Sequence, residues 1–256
     1  MKTSVVVDVG NTRIKWGLVT SCGIGAAAAL ASDDETSWRS QLAEWHLDGA
    51  QNWVVTGVHP ERRNRLVAWL RQQGHQATVL DDWRKLPLTI QLERPETAGI
   101  DRLLTAVAAN HRRELATPAV IVNAGTAVTV DWLDENGVFR GGAILPGLRL
   151  MTRALHEHTA LLPPVELPRT PPAVPGVSTP AAIQAGVFWA VAGGIQAITG
   201  QLARRGGPPA QLFLTGGDAS LLERALSETD GNSRQVPSVW PWMTLEGIRL
   251  TAERLP

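Results

Sequence analysis

Two strand–glycine turn–strand units constrain the fold of this chain most. Near the N-terminus, an apolar run at residues 4–9 passes through a Gly-Asn turn into a second run at 13–19, which is typical of a β-hairpin. In the middle of the chain, a run at 119–122 passes through Gly125–Thr126 into a strand at 128–133. Because this unit occurs twice, the sequence suggests a duplicated lobe.

Helical and strand patterns alternate along the rest of the chain, which predicts an α/β fold. The further predicted strands are residues 53–57, 77–80, 139–145 and 211–215. The predicted helices are residues 36–47, 60–73, 99–113, 147–158, 180–205 and 241–254. The seven prolines between Pro163 and Pro180 predict an extended loop, after which Thr179 is the expected helix cap and Pro180 the first helical residue.

Composition excludes several functional classes. Lys+Arg and Asp+Glu are equal at 24 each, so net charge indicates neither a nucleic-acid nor a membrane-surface partner. The single cysteine, Cys22, excludes an intrachain disulfide. The N-terminus lacks a signal-peptide pattern, and we expect no apolar run of about 18 residues that could span a membrane. These features predict a cytoplasmic protein.

The first hairpin has the residues of a phosphate site. Asp8 ends the first strand, and the Gly10–Asn11–Thr12 turn follows it. Backbone N–H groups of such a turn can face phosphate oxygens, the carboxylate can hold Mg²⁺ through water, and Lys15 can neutralise a terminal phosphate. The alternative is an ordinary hairpin turn in which Asp8 bonds to its own backbone.

The second hairpin repeats this arrangement with different side chains. Gly125 supplies the turn, Thr126 and Thr129 supply hydroxyls, and Asp131 supplies a carboxylate. Strand propensity alone also favours threonines here, so a simple hairpin is again the alternative. Two such turns in one chain favour a pair of phosphate-facing hairpins, one from each lobe.

Two further motifs add candidate residues. In Gly99–Ile100–Asp101–Arg102, Asp101 is a candidate general base and Arg102 a candidate anion ligand, although the helix dipole alone also favours an aspartate there. Gly216–Gly217 follows an apolar strand and suits close approach of a nucleotide. The sequence contains no GxxxxGK[ST] loop, no GxGxxG, no GxSxG elbow and no Cys/His zinc spacing.

The ordered set of motifs resembles the type III pantothenate kinase family over nearly the whole chain. The motifs are DVGNTRIKWGLV, GIDR, NAGTAVTVD, GGAILPG with ALHEHTALLP, and LTGGDA. The resemblance implies an α/β fold of two actin-like (ribonuclease H-like) lobes, with mixed sheets flanked by helices and a nucleotide cleft between them. We expect the lobes at residues 1–115 and 116–256, with the last helix able to pack back on the first lobe.

The resemblance also implies the activity: ATP-dependent phosphorylation of pantothenate to 4′-phosphopantothenate, the first step of coenzyme A biosynthesis. It implies Mg²⁺, in many members a monovalent cation such as K⁺ or NH₄⁺, and a homodimer. Asp101 resembles the catalytic carboxylate. The residues that resemble nucleotide ligands are Asp8, Gly10, Asn11, Thr12, Arg13, Lys15, Gly125, Thr126, Gly216 and Gly217. Those that resemble pantothenate contacts are Gly99, Ile100, Arg102 and Thr179.

Two positions depart from the family pattern. Asn123 stands where the family has an aspartate associated with the monovalent cation, and Leu92 stands where it has a pocket tyrosine. An amide oxygen is a weaker ligand for a hard cation than a carboxylate, so these positions leave two alternatives open. One is a kinase for another small hydroxy acid, and the other is a non-catalytic nucleotide-binding accessory protein.

Overall fold

The computed structural model describes residues 3–205, 207–227 and 237–255. The chain forms two compact units. The first comprises Met1–Arg112 together with the C-terminal segment Trp242–Pro256, and the second comprises Arg113–Pro241.

The first unit combines strands with flanking helices. Its strands are β1 (Val5–Val9), β2 (Arg13–Thr20), β3 (Gly23–Ala31), β4 (Asn52–Gly57), β5 (Gln76–Val79) and β6 (Thr89–Ile90). Its helices are α1 (Glu35–Glu44), α2 (Pro60–Gln72), α3 (Ile100–Arg112) and α7 (Met243–Ala252). Short 3₁₀ turns lie at Trp83–Lys85 and Pro95–Thr97.

The sheet of the first unit has the strand order β3-β2-β1-β4-β5. β1, β2 and β3 form an antiparallel meander, whereas β4 and β5 run parallel to β1. All five residues of β1 are buried, as expected for a central strand covered on both faces. The carboxyl ends of β1 and β4 therefore lie at the same edge of the sheet.

Tryptophans and close helix packing form the core of the first unit. The Trp16 and Trp53 rings meet edge to face at 4.9 Å, and the Trp38 and Trp69 rings do so at 5.3 Å. On the other side, α7 packs on α3 through Gly247, where an added Cβ would lie 2.0 Å from the Leu104 carbonyl oxygen. The C-terminal helix is thus part of the first unit.

The second unit has the same kinds of element. Its strands are β7 (Ala119–Ala124), β8 (Ala127–Leu133), β9 (Val138–Pro146), β10 (Gln211–Thr215) and β11 (Ser238–Val239). Its helices are α4 (Leu148–Glu157), α5 (Thr179–Ala203) and α6 (Ala219–Ser227).

The strand topology of the second unit repeats that of the first. Its strands follow the order β11-β10-β7-β8-β9. β7, β8 and β9 are an antiparallel meander, and β10 and β11 run parallel to β7. The repeat suggested by the two hairpins therefore extends to five strands in each unit. The predicted α/β class with mixed sheets flanked by helices is confirmed.

Helix α5 is the core helix of the second unit, and it corrects two predictions. Its cap is Ser178, whose side chain accepts a hydrogen bond from Ala181 N, so the prediction of Thr179 as cap was wrong by one residue. Its mean hydropathy of 1.5 over an 18-residue window also passes the length and composition test for a membrane span, contrary to expectation. The core helix of a soluble protein can reach the same length and apolar composition. Ile183, Phe188 and Val191 pack into the core.

The predicted strands and helices are present, with ends shifted by a few residues. Among the described residues, four strands and helices were not predicted: β3, β6, α6 and β11. The sequence of β3, GIGAAAALA, is made almost entirely of residues with low strand propensity. It forms a strand because it pairs along β2 from Arg13 to Thr20.

Candidate active site

Asp8 and Lys15 face each other across the first hairpin. The register of β1 and β2 places the two residues directly opposite, and Lys15 Nζ lies 3.6 Å from Asp8 Oδ2. The Asp8 side chain is 7% exposed and the Lys15 side chain 29% exposed. The pair is thus a mostly buried carboxylate with a cation whose outer end reaches solvent.

The surroundings of Asp8 disfavour its negative charge. Burial raises the pKa of Asp8 above its ordinary value, the Lys15 ammonium opposes this, and the nearby charge of Asp101 raises the pKa further. The interaction with Asp101 brings the first hairpin and the start of α3 into one electrostatic site within the first unit. A site that holds two carboxylates against burial and mutual repulsion favours a bound cation.

Residues outside the hairpin donate hydrogen bonds to the turn after β1. Gly10 N donates to Arg13 O at 3.0 Å and closes the turn, while Asn11, Thr12 and Arg13 are exposed. Two turn carbonyls have partners outside the hairpin: Arg62 Nη1 donates to Asn11 O, and Ser32 Oγ donates to Thr12 O at 3.3 Å. Arg62 was not among the predicted site residues. Because 51 residues separate it from Asn11, no local sequence pattern could have identified it.

The start of α3 carries the predicted catalytic carboxylate. Asp101 Oδ1 accepts a hydrogen bond from Arg102 N at 2.9 Å, and both residues are half-buried, as is Ile100. At Gly99, an added Cβ would lie 2.6 Å from Asp101 Oδ1, so any side chain at residue 99 would displace the carboxylate. The position of the Asp101 carboxylate therefore explains why the motif has glycine at residue 99.

In the second unit, three strand ends meet at one edge of the sheet. Gly125 N donates to Ala127 O at 3.1 Å and closes the turn after β7. After β9, Gly147 N donates to Thr126 O at 3.0 Å, and an added Cβ at Gly147 would lie 2.1 Å from Gly125 O. Thr126 is exposed at this edge.

The glycine pair after β10 joins the same edge. Gly216 has φ +98°, and an added Cβ would lie 2.3 Å from Ala124 O, so both the conformation and the space require glycine. Asp218 N donates to Ala124 O at 3.0 Å, and Gly217 is exposed. The structure therefore brings Gly125, Thr126, Gly216 and Gly217 together, as a shared nucleotide-facing edge requires.

Asn123 lies opposite Thr129 in the β7–β8 ladder. Asn123 is half-buried, whereas Thr129 is buried and its Oγ1 has no hydrogen-bond partner among the described residues. Directly opposed residues have Cβ atoms within about 5.5 Å, so an amide oxygen and a hydroxyl are close at the predicted monovalent-cation position. Both groups are neutral.

Thr179 is the first residue of α5 and lies on an apolar groove. The groove has a volume of about 630 Å³ and runs between α4 and α5. Ser178 and Thr179 supply its hydroxyls, and Met151, Leu155 and Val187 are among its apolar walls. The groove was not predicted, since the two helices that form it are separated by the proline-rich loop.

A magnesium ion fits Asp8 by charge and chemistry. Mg²⁺ in phosphate-transfer sites is held by one or two carboxylates together with the phosphates of the substrate. Asp8 offers a buried carboxylate, and Asp101 adds a second negative charge to the same site. Within the described ranges, no group of three or more His, Cys, Asp or Glu side chains forms an all-protein metal site.

Comparisons with known proteins show which family this sequence matches. A family model described as type III pantothenate kinase matches residues 4–201. The type III pantothenate kinase of Moorella thermoacetica is 33% identical over 260 residues, which cover 98% of each chain.

Two solved structures show the same fold at low sequence identity. A Campylobacter jejuni protein assigned to the Baf family of transcriptional activators superposes with a TM-score of 0.62 at 17% identity, covering 97% of each chain. The activator of 2-hydroxyisocaproyl-CoA dehydratase from Clostridium difficile, with bound ADPNP, gives a TM-score of 0.55 at 14% identity, covering 99% of this chain and 96% of the other. The actin-like fold prediction is therefore confirmed.

Proposed function

Because the chain belongs to the type III pantothenate kinase family, we propose that it transfers the γ-phosphate of ATP to pantothenate and forms 4′-phosphopantothenate. The reaction is the first step of coenzyme A synthesis. The observation that supports this activity most directly is the site of Asp8, Lys15 and Asp101, in which two carboxylates and an ammonium share one electrostatic environment.

Each member of this site has a distinct role in the proposal. Asp8 holds Mg·ATP, and Mg²⁺ supplies charge neutralisation of the phosphates when it is bound. Lys15 contributes a positive charge to the terminal phosphate, and backbone N–H groups of the Gly10–Thr12 turn receive phosphate oxygens. Asp101 orients the pantothenate hydroxyl and accepts its proton as the oxygen attacks the γ-phosphorus.

Pantothenate carries a carboxylate and a primary hydroxyl that need separate ligands. Arg102 follows Asp101 directly and is a suitable anion ligand, while Gly99 and Ile100 bring backbone close to the substrate. Thr179 offers a hydroxyl at the first turn of α5, where the helix dipole also favours an anion. This division of roles stays a proposal for each residue.

The direct test is a phosphorylation assay with purified protein, ATP, Mg²⁺ and pantothenate, with the product identified by mass. A panel of other small hydroxy acids tests the alternative acceptor, because Leu92 changes the expected pocket. A protein that binds Mg·ATP but phosphorylates no member of the panel would support the accessory-protein alternative. Nucleotide preference is tested in the same assay with GTP in place of ATP.

We also propose that the apolar face of α4 and α5 is covered by a second copy of the chain, as the family resemblance implies. Val177, which lines the groove, is 95% exposed, and Leu161, in the segment after α4, is 91% exposed. Such exposure of large apolar side chains around a groove is typical of an association surface. The test is the molar mass in solution: Val177→Asp should convert a dimer into a monomer, and a wild-type monomer would refute the proposal.

The monovalent cation and the location are the remaining proposals. Asn123 and Thr129 offer only neutral oxygens at the cation position, which supports an activity with little dependence on K⁺ or NH₄⁺. A cytoplasmic location is consistent with a single, exposed cysteine.

A further inference from the structure

Helix α2 begins beside the first glycine turn. β1 and β4 are parallel, and Val9 lies opposite Gly57 at the ends of the two strands. At Gly57, an added Cβ would lie 2.3 Å from Val9 O, so the two strand ends are in direct contact. Because α2 starts at Pro60, its first turn lies at the edge of the sheet where the β1–β2 turn is exposed.

Arg62 is fixed in the first turn of α2 by three contacts. Its backbone N–H donates to His59 Nδ1, the side-chain cap of the helix, at 3.5 Å. Its guanidinium Nε lies 3.6 Å from Asp33 Oδ2, and its Nη1 donates to Asn11 O. The side chain is 29% exposed, compared with 49% for Arg65. Arg62 therefore connects a capped helix, the loop before α1 and the glycine turn.

The contact to Asn11 O determines which way the turn presents its donors. In a planar trans peptide, the carbonyl of one residue and the N–H of the next point in opposite directions. When Arg62 holds Asn11 O, the N–H of Thr12 is directed away from Arg62. Ser32 Oγ acts in the same way on the next peptide by holding Thr12 O. Without these two donors, the carbonyls could rotate towards a bound phosphate and repel it.

We propose that Arg62 is a positioning residue for nucleotide binding: it orients the Gly10–Thr12 turn without touching the phosphates. The proposal rests on the proposed function only in taking this turn as the site of ATP phosphates. Arginine suits the role because its planar fork can serve Asn11 O and Asp33 at once, whereas lysine has a single ammonium.

Arg65 provides a matched control one turn later on α2. It pairs with Asp33 at 3.6 Å and with Glu35 at 3.2 Å, and its guanidinium lies 5.9 Å from the Trp38 ring centroid. These contacts lie outside the glycine turn. Arg65→Gln thus removes the same charge from the same helix and from the same aspartate, with the turn left in place.

The experiment measures the Kd of Mg·ATP without pantothenate, and then KM for both substrates, in the wild type, R62Q, R62K and R65Q. R62Q should raise Kd and KM for ATP about tenfold, the effect of one charge-assisted hydrogen bond. KM for pantothenate should change less than about twofold. R62K should recover part of the ATP affinity, and R65Q should leave it within about twofold, as expected for exposed ion pairs.

Several outcomes would overturn the proposal. An unchanged Kd in folded R62Q would do so whatever its melting temperature, and so would an equal loss of ATP and pantothenate affinity or an equal effect of R65Q. If R62Q does not fold, R62K is measured in its place, because the single ammonium of lysine cannot serve Asn11 O and Asp33 as the arginine fork does; a Kd equal to that of the wild type would then overturn the proposal. A wild type that binds Mg·ATP without phosphorylating pantothenate would refute the proposed function alone, and one that binds no Mg·ATP would refute both.

Discussion

Replacing Asp8 with asparagine should stabilise the free protein while weakening its nucleotide binding. Burial raises the pKa of Asp8, and the charge of Asp101 raises it further, so the ionised carboxylate is less favourable in the fold than in water. Asparagine has nearly the same shape and no charge. The substitution therefore removes an unfavourable term from the folded state, as expected at a functional site that is held at a cost in stability.

The size of this stabilisation depends on two opposing contributions to the energy of the Asp8 charge: attraction to Lys15, and the penalty from burial and Asp101. At the observed 3.6 Å, attraction to Lys15 is about 4–5 kcal/mol with an effective dielectric constant of about 20. The raised pKa of Asp8 means that burial and Asp101 together outweigh this attraction. Because the two contributions are of similar size, we expect Asp8→Asn to raise the free energy of unfolding by on the order of 1 kcal/mol. This corresponds to an increase in Tm of about 2–4 °C for a chain of this length. Lys15 reaches solvent, so it can be hydrated after its partner loses the charge.

The same substitution should lower Mg·ATP affinity by about ten- to a hundredfold, since an amide oxygen replaces the carboxylate that we propose holds Mg·ATP. The pH dependence has a definite sign. The folded pKa of Asp8 lies above its unfolded value, so the wild type gains stability as pH falls through the folded pKa and the carboxylate takes up a proton. The advantage of Asp8→Asn should therefore be present at neutral pH and disappear on acidification.

Asp134→Asn is the matched control, and its effect on the stability of the fold should have the opposite sign. Burial raises the pKa of Asp134, but hydrogen bonds from Val138 N and Arg140, together with the Arg140 charge, outweigh burial and lower it overall. Asparagine there should cost about 1.5–3 kcal/mol, and the loss should shrink as pH falls through the depressed folded pKa. Urea unfolding at several pH values, with and without Mg·ATP, measures both variants. A destabilised Asp8→Asn, or one with unchanged Mg·ATP affinity, would refute the reasoning.

Three further predictions concern single residues. Asp101→Asn should keep Mg·ATP affinity and lower turnover by about two orders of magnitude, as expected for a lost general base; near-normal turnover would leave only the helix-dipole role. Lys15→Ala should raise the Kd of Mg·ATP less than Asp8→Asn does, and a larger effect would place the main charge contact on the lysine. Wild-type activity should depend little on K⁺ at constant ionic strength, whereas Asn123→Asp should make it cation-dependent; strong K⁺ activation of the wild type would contradict the neutral site.

Elements whose determinants are local could be predicted from the sequence. The hairpin at Asp8 and Lys15 follows from strand periodicity and a Gly-Asn turn, and the observed register pairs these two residues. In contrast, β3 follows from its partner strand and not from its own alanines and glycines. The sequence also could not decide which residue caps α5. Ser178 and Thr179 are both good caps, and the position of Pro180 allows either register.

Within the site, contacts between residues distant in sequence could not be predicted. Arg62 reaches Asn11 only because the β1–β4 pairing brings the start of α2 to the turn. The packing of Gly147 on the Gly125–Thr126 turn likewise depends on the β8–β9 register. The sequence therefore predicted candidate motifs for the site but not the residues that hold them in position.

The repeated topology allows the two hairpins to be compared position by position. Asp8 and Asn123 each lie two residues before the turn glycine, and their cross-strand partners are Lys15 and Thr129. The first turn closes from Gly10 N to Arg13 O and the second, one residue shorter, from Gly125 N to Ala127 O. The same place in the fold thus holds a charged pair in one unit and a neutral pair in the other. A carboxylate at residue 123 would face the Thr129 hydroxyl where Asp8 faces an ammonium, so a bound cation would supply the positive charge that this pair lacks. Charge at this position and dependence on a monovalent cation should therefore appear together.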